Sequence, residues 1–340
     1  MGKFIGFGDL LVGLNPVGYR RFLQADTMEV NYTGAEANVC VSLARFGIDT
    51  EFVTRLPQND IALCAVAQLR KYGVGTDRIV YGGDRIGVIY TEKGASQRPS
   101  KVVYDRKYSS FSTAKCGEFV WDDIFCGAEW FHFTGITAAL SDNTAQLCKE
   151  ACLAAKSKGI KISCDLNYRK NLWTPEAAKR VMEAIVPMCD LVIGNEEDAD
   201  KVLGIQAEGS DVMSGKISRE GYISVARQIQ EKYGVKNVAI TLRESVSASD
   251  NYWSAMYYTN DKPFFSKRYP IHIVNRVGGG DSFSAGLIYS LMNAYEPQKA
   301  LEFAVAASCL KHTIELDFNL VTVDEVTRLA DGDGSGRVQR

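Results

Sequence analysis

The sequence predicts an α/β fold: a doubly wound, mainly parallel sheet sandwiched by helices, with a small β-sheet lid beside it. Three observations lead there. Helical and strand-like patterns alternate over most of the chain, which is the signature of βα units. Two segments break that alternation, because their apolar residues repeat every second position where a crossover helix is expected. The chain has 340 residues, 46% of them hydrophobic, enough to bury the core of one large α/β domain.

The elements follow in order. Phe4 to Gly8 reads as a short buried strand, with Asp9 at its C-terminal end, the end that faces the ligand crevice of an open α/β sheet. Gly6-Phe7-Gly8 does not open a dinucleotide site, since Leu11 occupies the third glycine position and no helix follows. Met28, Val30 and Tyr32 alternate with polar residues, as a half-exposed strand does. Thr33-Gly34-Ala35-Glu36-Ala37-Asn38-Val39 then runs into a helix ending at Gly47. Asn59-Asp60 caps a helix that ends near Gly73. Ile86, Val88 and Tyr90 repeat the alternating pattern, followed by a polar turn and Lys101-Val102-Val103-Tyr104. Residues 11–33 and 86–108 therefore form the lid. Beyond it come a strand at Trp130–Phe133 ending in Thr134-Gly135, a helix from about Asn143 to Gly159, and strands at Lys161–Asp165, Leu191–Ile193 and Val238–Thr241, the last with Thr241 at its end. One domain spans 1–330. The glycine-rich residues 331–340 read as a flexible tail.

Composition removes several function classes. A net charge of -2 gives no basic surface for nucleic acid or acidic lipid. No stretch approaches the ~20 apolar residues that span a bilayer, and the N-terminus lacks a signal-peptide pattern. The nine cysteines are scattered, and Cys148 and Cys152, one helical turn apart, have no second pair to complete a zinc site. Buried free thiols in a reducing, cytoplasmic setting are the expectation.

The chemistry concentrates in Val274-Asn275-Arg276-Val277-Gly278-Gly279-Gly280-Asp281-Ser282-Phe283. Phe283, Leu287, Ile288 and Leu291 mark one face of a helix that starts directly after the glycines. Asp281 therefore stands at a helix N-terminus, where bare N–H groups and the helix dipole favour an anion such as phosphate. A carboxylate there is placed to take the proton of an attacking hydroxyl. Taken alone, the stretch also fits a glycine turn with an ordinary acidic helix start.

Together with Thr33–Val39, this stretch resembles the two signatures of the ribokinase-like (PfkB) carbohydrate kinases. The resemblance spans nearly the whole chain and implies an ATP-dependent sugar kinase using Mg²⁺. It makes Asp281 the catalytic base, and Gly278, Gly279 and Gly280 the donors that stabilise the transferred phosphoryl group. It places Asp9, Gly34 and Asn38 on sugar hydroxyls. Asn195-Glu196-Glu197-Asp198 matches an Asn-x-x-Glu motif near the phosphates and the metal's water shell, except that Asp198 replaces the glutamate, so Glu197 or Asp198 would face the ion through water. Thr241 and Arg243 fall where the family approaches the nucleotide, with Leu242-Arg243 in place of the usual Leu-Gly. Tyr104-Asp105-Arg106 and Asn167-Tyr168-Arg169 resemble the branch of the family acting on 2-keto-3-deoxygluconate, where Arg106 and Arg169 would hold the sugar carboxylate, with Tyr90 and Tyr104 nearby. Lys311-His312-Thr313-Ile314 also looks like that branch, although Glu315-Leu316-Asp317 departs from it. The resemblance implies transfer to the terminal hydroxyl, giving 2-keto-3-deoxy-6-phosphogluconate, and a homodimer paired through the lid. A neutral-sugar kinase of the fructose or ribose type, or an idle sugar-binding protein of the same fold, are the alternatives.

Overall fold

The computed structural model describes residues 2–207 and 218–336. Its strands, in chain order, are β1 (Lys3–Phe7), β2 (Leu11–Pro16), β3 (Met28–Thr33), β4 (Thr50–Val53), β5 (Arg55–Leu56), β6 (Val80–Tyr81), β7 (Gly87–Glu92), β8 (Lys101–Asp105), β9 (Ala128–Thr134), β10 (Lys161–Asp165), β11 (Leu191–Gly194), β12 (Asn237–Ser245), β13 (Asp250–Thr259), β14 (Lys262–Phe265) and β15 (Tyr269–His272). The main sheet has the order β14-β13-β12-β11-β10-β9-β1-β4, with β15 on the far half of β13. From β4 to β12 neighbours are parallel, and β12 to β15 form an antiparallel edge.

Alternate side chains of the parallel strands enter two cores. Phe4 and Trp130 pack among the helices Ala35–Arg45, Asp60–Lys71, Gly279–Met292 and Pro297–Lys311. Ile5, Phe7, Phe131 and Phe133 pack against Asp142–Ser157 and its neighbours on the opposite face. Burial on both faces explains why these strands are continuous apolar runs. His132 belongs to this interior: it is fully buried, pairs with Ser163 Oγ at 2.8 Å, and desolvation lowers its pKa to about 3. His272 sits outside, 2.7 Å from Asp250. All nine cysteines are free. Cys148 and Cys152 are buried, while Cys64, Cys116 and Cys126 are exposed.

The sheet turns on β1. The chain leaves β1, crosses to β4 on one side, and later returns to β9 on the other. In open α/β sheets ligands bind at the strand C-termini beside such a reversal. Asp9 follows β1, Gly135 follows β9, Asn167 and Arg169 follow β10, and Asn195 follows β11, all at that end.

The lid is a separate sheet, β3-β2-β7-β8. It is tied to the core by the Lys93–Glu315 ion pair and by Asn31, whose Nδ2 donates to Asp317 Oδ2 at 3.2 Å. One expectation changes here. Thr241 lies inside β12, not at its end, because β12 outruns its parallel pairing with β11 at Ile240 and continues to Ser245 against β13. Of the tail, residues 337–340 lie outside the described residues.

Candidate active site

Side chains from both ends of the sequence meet in one cleft of about 470 Å³ between lid and sheet. Asp9, Gly34, Asn38, Tyr104, Arg106, Arg169, Asn195, Glu197, Asp198, Thr241, Arg243, Gly278, Gly279, Gly280 and Asp281 all line it.

The glycine turn is built from the core outward. Gly278 is the N-cap of the helix Gly279–Met292, with φ 80, a left-handed conformation that suits glycine. A Cβ on it would collide with the Asp317 carbonyl oxygen, and one on Gly279 would lie 2.5 Å from His312 Cε1. A Cβ on Gly280 would meet nothing within 4 Å. The turn is thus packed tightly on its protein side and open on its cleft side. Gly278 has no side chain to cap the helix, so the first N–H groups keep free donors for an anion.

Asp281 stands at the third position of this helix, 243 residues from its partner. Asn38 Nδ2 donates to Asp281 Oδ2 at 2.7 Å. Oδ1 has no protein partner among the described residues and is the oxygen left to receive a proton. Desolvation in the cleft raises the Asp281 pKa to about 7, opposed by the Asn38 hydrogen bond and the Arg169 charge. A base poised near neutrality suits proton abstraction from a hydroxyl.

The opposite end of the cleft is set by β1 and the lid. Gly34 must be glycine because a Cβ would strike the Asp9 carbonyl oxygen, so the helix Ala35–Arg45 starts hard against the end of β1. Burial raises the Asp9 pKa to about 7, offset partly by Arg106, and Asp9 Oδ2 has no partner among the described residues. Arg106 is buried, stacks 4.4 Å from the Tyr104 ring centroid, and has Nε and Nη2 without hydrogen-bond partners among the described residues. Buried polar atoms are rarely left unpaired in a folded chain, and these open on a ligand cavity.

One of the expected residues lies elsewhere. Tyr90 does not line the cleft. Ile89 pairs with Tyr104 across β7 and β8, so these two share the cleft face and Tyr90 points the other way, as side chains alternate along a strand. Asp198 lines the cleft, and each of its oxygens accepts one main-chain N–H: Oδ1 from Tyr168 at 2.8 Å and Oδ2 from Asn195 at 3.0 Å. It closes a capping box with Asn195, which leaves Glu197 as the freer carboxylate.

Three further residues line or support the cleft. Glu36 is buried and accepts from Thr134 N–H and Thr137 Oγ1, at 2.8 and 2.6 Å, which locks the helix Ala35–Arg45 to the end of β9. Asp165 ends β10 in the cleft, and burial raises its pKa, reinforced by Asp198 and Asp281. Arg276 lines the cleft and donates to the Ala248 carbonyl oxygen at 3.2 Å. Glu36 sits within Gly34–Asn38 and Asp165 within Asp165–Arg169, so both were already inside stretches singled out for other residues.

Residues 6–314 match the model of the pfkB family of carbohydrate kinases. The crystal structure of 2-dehydro-3-deoxygluconokinase from Thermotoga maritima is 49% identical, with a TM-score of 0.94 over 98% of this chain and 100% of that one. That of a putative 2-keto-3-deoxygluconate kinase from Enterococcus faecalis is 27% identical, with a TM-score of 0.92 over 100% and 99%. Among curated proteins, 2-dehydro-3-deoxygalactonokinase of Haloferax volcanii is 28% identical over 335 residues, covering 98% of both chains. With the glycine turn, its aspartate and the lid all in one cleft, the chain belongs to the pfkB family of carbohydrate kinases.

Proposed function

We propose that the protein transfers the γ-phosphoryl group of ATP to the terminal hydroxyl of 2-keto-3-deoxygluconate, giving 2-keto-3-deoxy-6-phosphogluconate. The observation that carries the choice of an acid sugar is Arg106. Its buried guanidinium has two unpartnered nitrogens at the end of the cleft where Asp9 stands. A planar fork of donors suits a carboxylate, and a neutral sugar has no need of it. The names of the Thermotoga and Enterococcus neighbours, a 2-dehydro-3-deoxygluconokinase and a putative 2-keto-3-deoxygluconate kinase, support the same substrate.

In this reading Asp9, Gly34 and Asn38 bind sugar hydroxyls, and Arg106 and Arg169 bind the carboxylate. Arg169 is exposed, and its charge acts on Asp165, Asp198 and Asp281, whereas Arg106 acts on Asp9. Asp281 Oδ1 takes the hydroxyl proton as oxygen attacks phosphorus in line, and the N–H groups from Gly279 to Asp281 hold the transferred phosphoryl group. The nucleotide extends over Asn195, Thr241 and Arg243 toward a second cavity of about 820 Å³, which shares those residues and adds Arg219, Tyr222 and Phe265. Mg²⁺, when bound, neutralises charge on the phosphates. Glu197 fits that ion through water, as a single carboxylate suits a metal carried largely by phosphates. The lid pairs with a second lid in a homodimer, and the enzyme works in the cytoplasm.

The test is ADP release over a panel of sugar acids and neutral sugars, repeated with Arg106→Ala and Arg169→Ala. A charge-assisted hydrogen bond contributes ~1.5–3 kcal/mol, so each loss raises KM for the acid roughly tenfold to a hundredfold. Arg106→Ala has the larger effect, because its guanidinium is the buried one. Activity on a neutral sugar of the same length is little changed. Preference of the wild type for fructose or ribose over every acid tested would overturn the acid-sugar reading.

A further inference from the structure

Lys311 ends the helix Pro297–Lys311 and is fully buried. Buried lysines are rare, because removing an ammonium from water costs several kcal/mol unless charges and hydrogen bonds compensate. This one is sparsely compensated. Nζ donates to the Ile314 carbonyl oxygen at 3.1 Å, and no carboxylate forms an ion pair with it among the described residues. Its side chain lies against the glycine turn: a Cβ on Gly278 would sit 3.3 Å from Lys311 Cε. The charged groups that act on it are Asp317, Asp281, Glu315 and Lys93. Two of these are already engaged with each other, Lys93 with Glu315, and Asp317 Oδ2 accepts from Asn31. The adjacent His312, which supports Gly279, is held neutral by burial, with its pKa lowered to about 4. Lys311 is therefore the cation that packs on the protein side of the turn whose other side opens on the cleft.

We infer that Lys311 is a positioning residue for phosphoryl transfer: it braces the Gly278 turn and places a fixed positive charge behind the N–H groups that receive the transferred group. The inference rests on the reading of that turn as the phosphoryl site. Preorganised charge of this kind acts where negative charge develops, inside a cleft that screens it less than water does. Burial also lowers the ammonium's pKa to about 8, so its proton is sensitive to what the turn binds.

The experiment compares Lys311→Met and Lys311→Ala with wild type on the best substrate found for wild type. A unit charge acting across several ångströms of protein changes a rate roughly tenfold to a hundredfold. The expected result is that fall in kcat, with sugar KM within about twofold, since the sugar end of the cleft is untouched. Ammonium or methylammonium salts should restore turnover to the alanine variant, and choline chloride at equal ionic strength should not. A folded methionine variant with wild-type kcat overturns the inference. So does a kcat loss that tracks loss of folded protein and that no small cation restores. Should neither variant fold, the wild type still decides. The ¹³Cε resonance of Lys311 is titrated with and without sugar and a non-hydrolysable ATP analogue. Its titration should move to higher pH when the phosphates bind, and an unmoved titration overturns the inference. A wild type that phosphorylates no sugar counts against the functional reading, whereas an active wild type matched by Lys311→Met counts against Lys311 alone.

Discussion

Asp281 carries two opposite demands in one carboxyl group. Proton abstraction needs the charged form, and the cleft disfavours it, which holds the pKa at about 7 instead of 3.8. kcat/KM should therefore rise with pH up to about 7 and flatten above it. Asp281→Asn should lower kcat by ~10²–10⁴, the usual contribution of a positioned base. The amide oxygen can still accept from Asn38, so sugar binding should persist, and turnover within about tenfold of wild type would remove the residue from that role. Stability should move the other way. A carboxyl raised by folding holds its proton more tightly in the native state, so its stabilisation is full below pH 3.8 and is lost as pH rises through about 7. Asp281→Asn should thus melt higher than wild type at pH 8 and gain no such advantage at pH 3.5, which calorimetry at the two values would test. The neighbouring carboxylates need similar separation. Glu197→Gln should raise the Mg²⁺ needed for half-maximal rate. Asp198→Asn should leave that requirement alone and lower Tm, because Asp198 holds two main-chain N–H groups. A Mg²⁺ titration shifted by Asp198→Asn and not by Glu197→Gln would reverse the assignment.

The glycine turn separates structure from chemistry within three residues. Gly278 needs its left-handed φ and has no room for a Cβ, so Gly278→Ala should destabilise the fold by roughly 1–3 kcal/mol. Gly280 has open space, so Gly280→Ala should keep Tm nearly unchanged and lower kcat/KM, because the methyl group projects where phosphate approaches. Equal thermal losses in both variants would argue that the turn is structural throughout. The elements themselves were legible in the sequence wherever one pattern dominated. The helix after Gly280 announced itself by its apolar face, and Asn59 does cap its helix, accepting from Ala62 N–H at 3.0 Å. Legibility failed where tertiary pairing decides. Nothing in Val238–Thr241 says that β12 continues four residues further, because the partner that extends it, β13, is a separate segment. Lys311 was equally hidden. It was noticed only within a resemblance, and its burial depends on helices and loops packed around it.

At the scale of the molecule, the lid sheet has two faces with different fates. One face, carrying Leu11, Thr33, Ile89, Tyr104 and Arg106, closes over the cleft. On the other, Val30, Leu14, Tyr90 and Val103 stand opposite one another from β3 to β8, an apolar row across the whole sheet. The sequence disclosed the alternation of these strands but not which face turned inward, and Tyr90 was assigned to the wrong one for that reason. A one-residue difference in register moves every side chain to the other face. Val30 and Val103 remain 59% and 52% exposed. If two such lids bury these rows against each other across a two-fold axis, the protein is a dimer. Light scattering at micromolar protein should therefore report twice the mass of one chain. A Val30→Glu, Val103→Glu double variant should report one chain mass, because each charge would otherwise enter the shared apolar row. The same variant should raise KM for the sugar, since the lid that carries Tyr104 and Arg106 loses its support. A wild type that is monomeric at this concentration and fully active would refute the paired lids while leaving the kinase assignment intact.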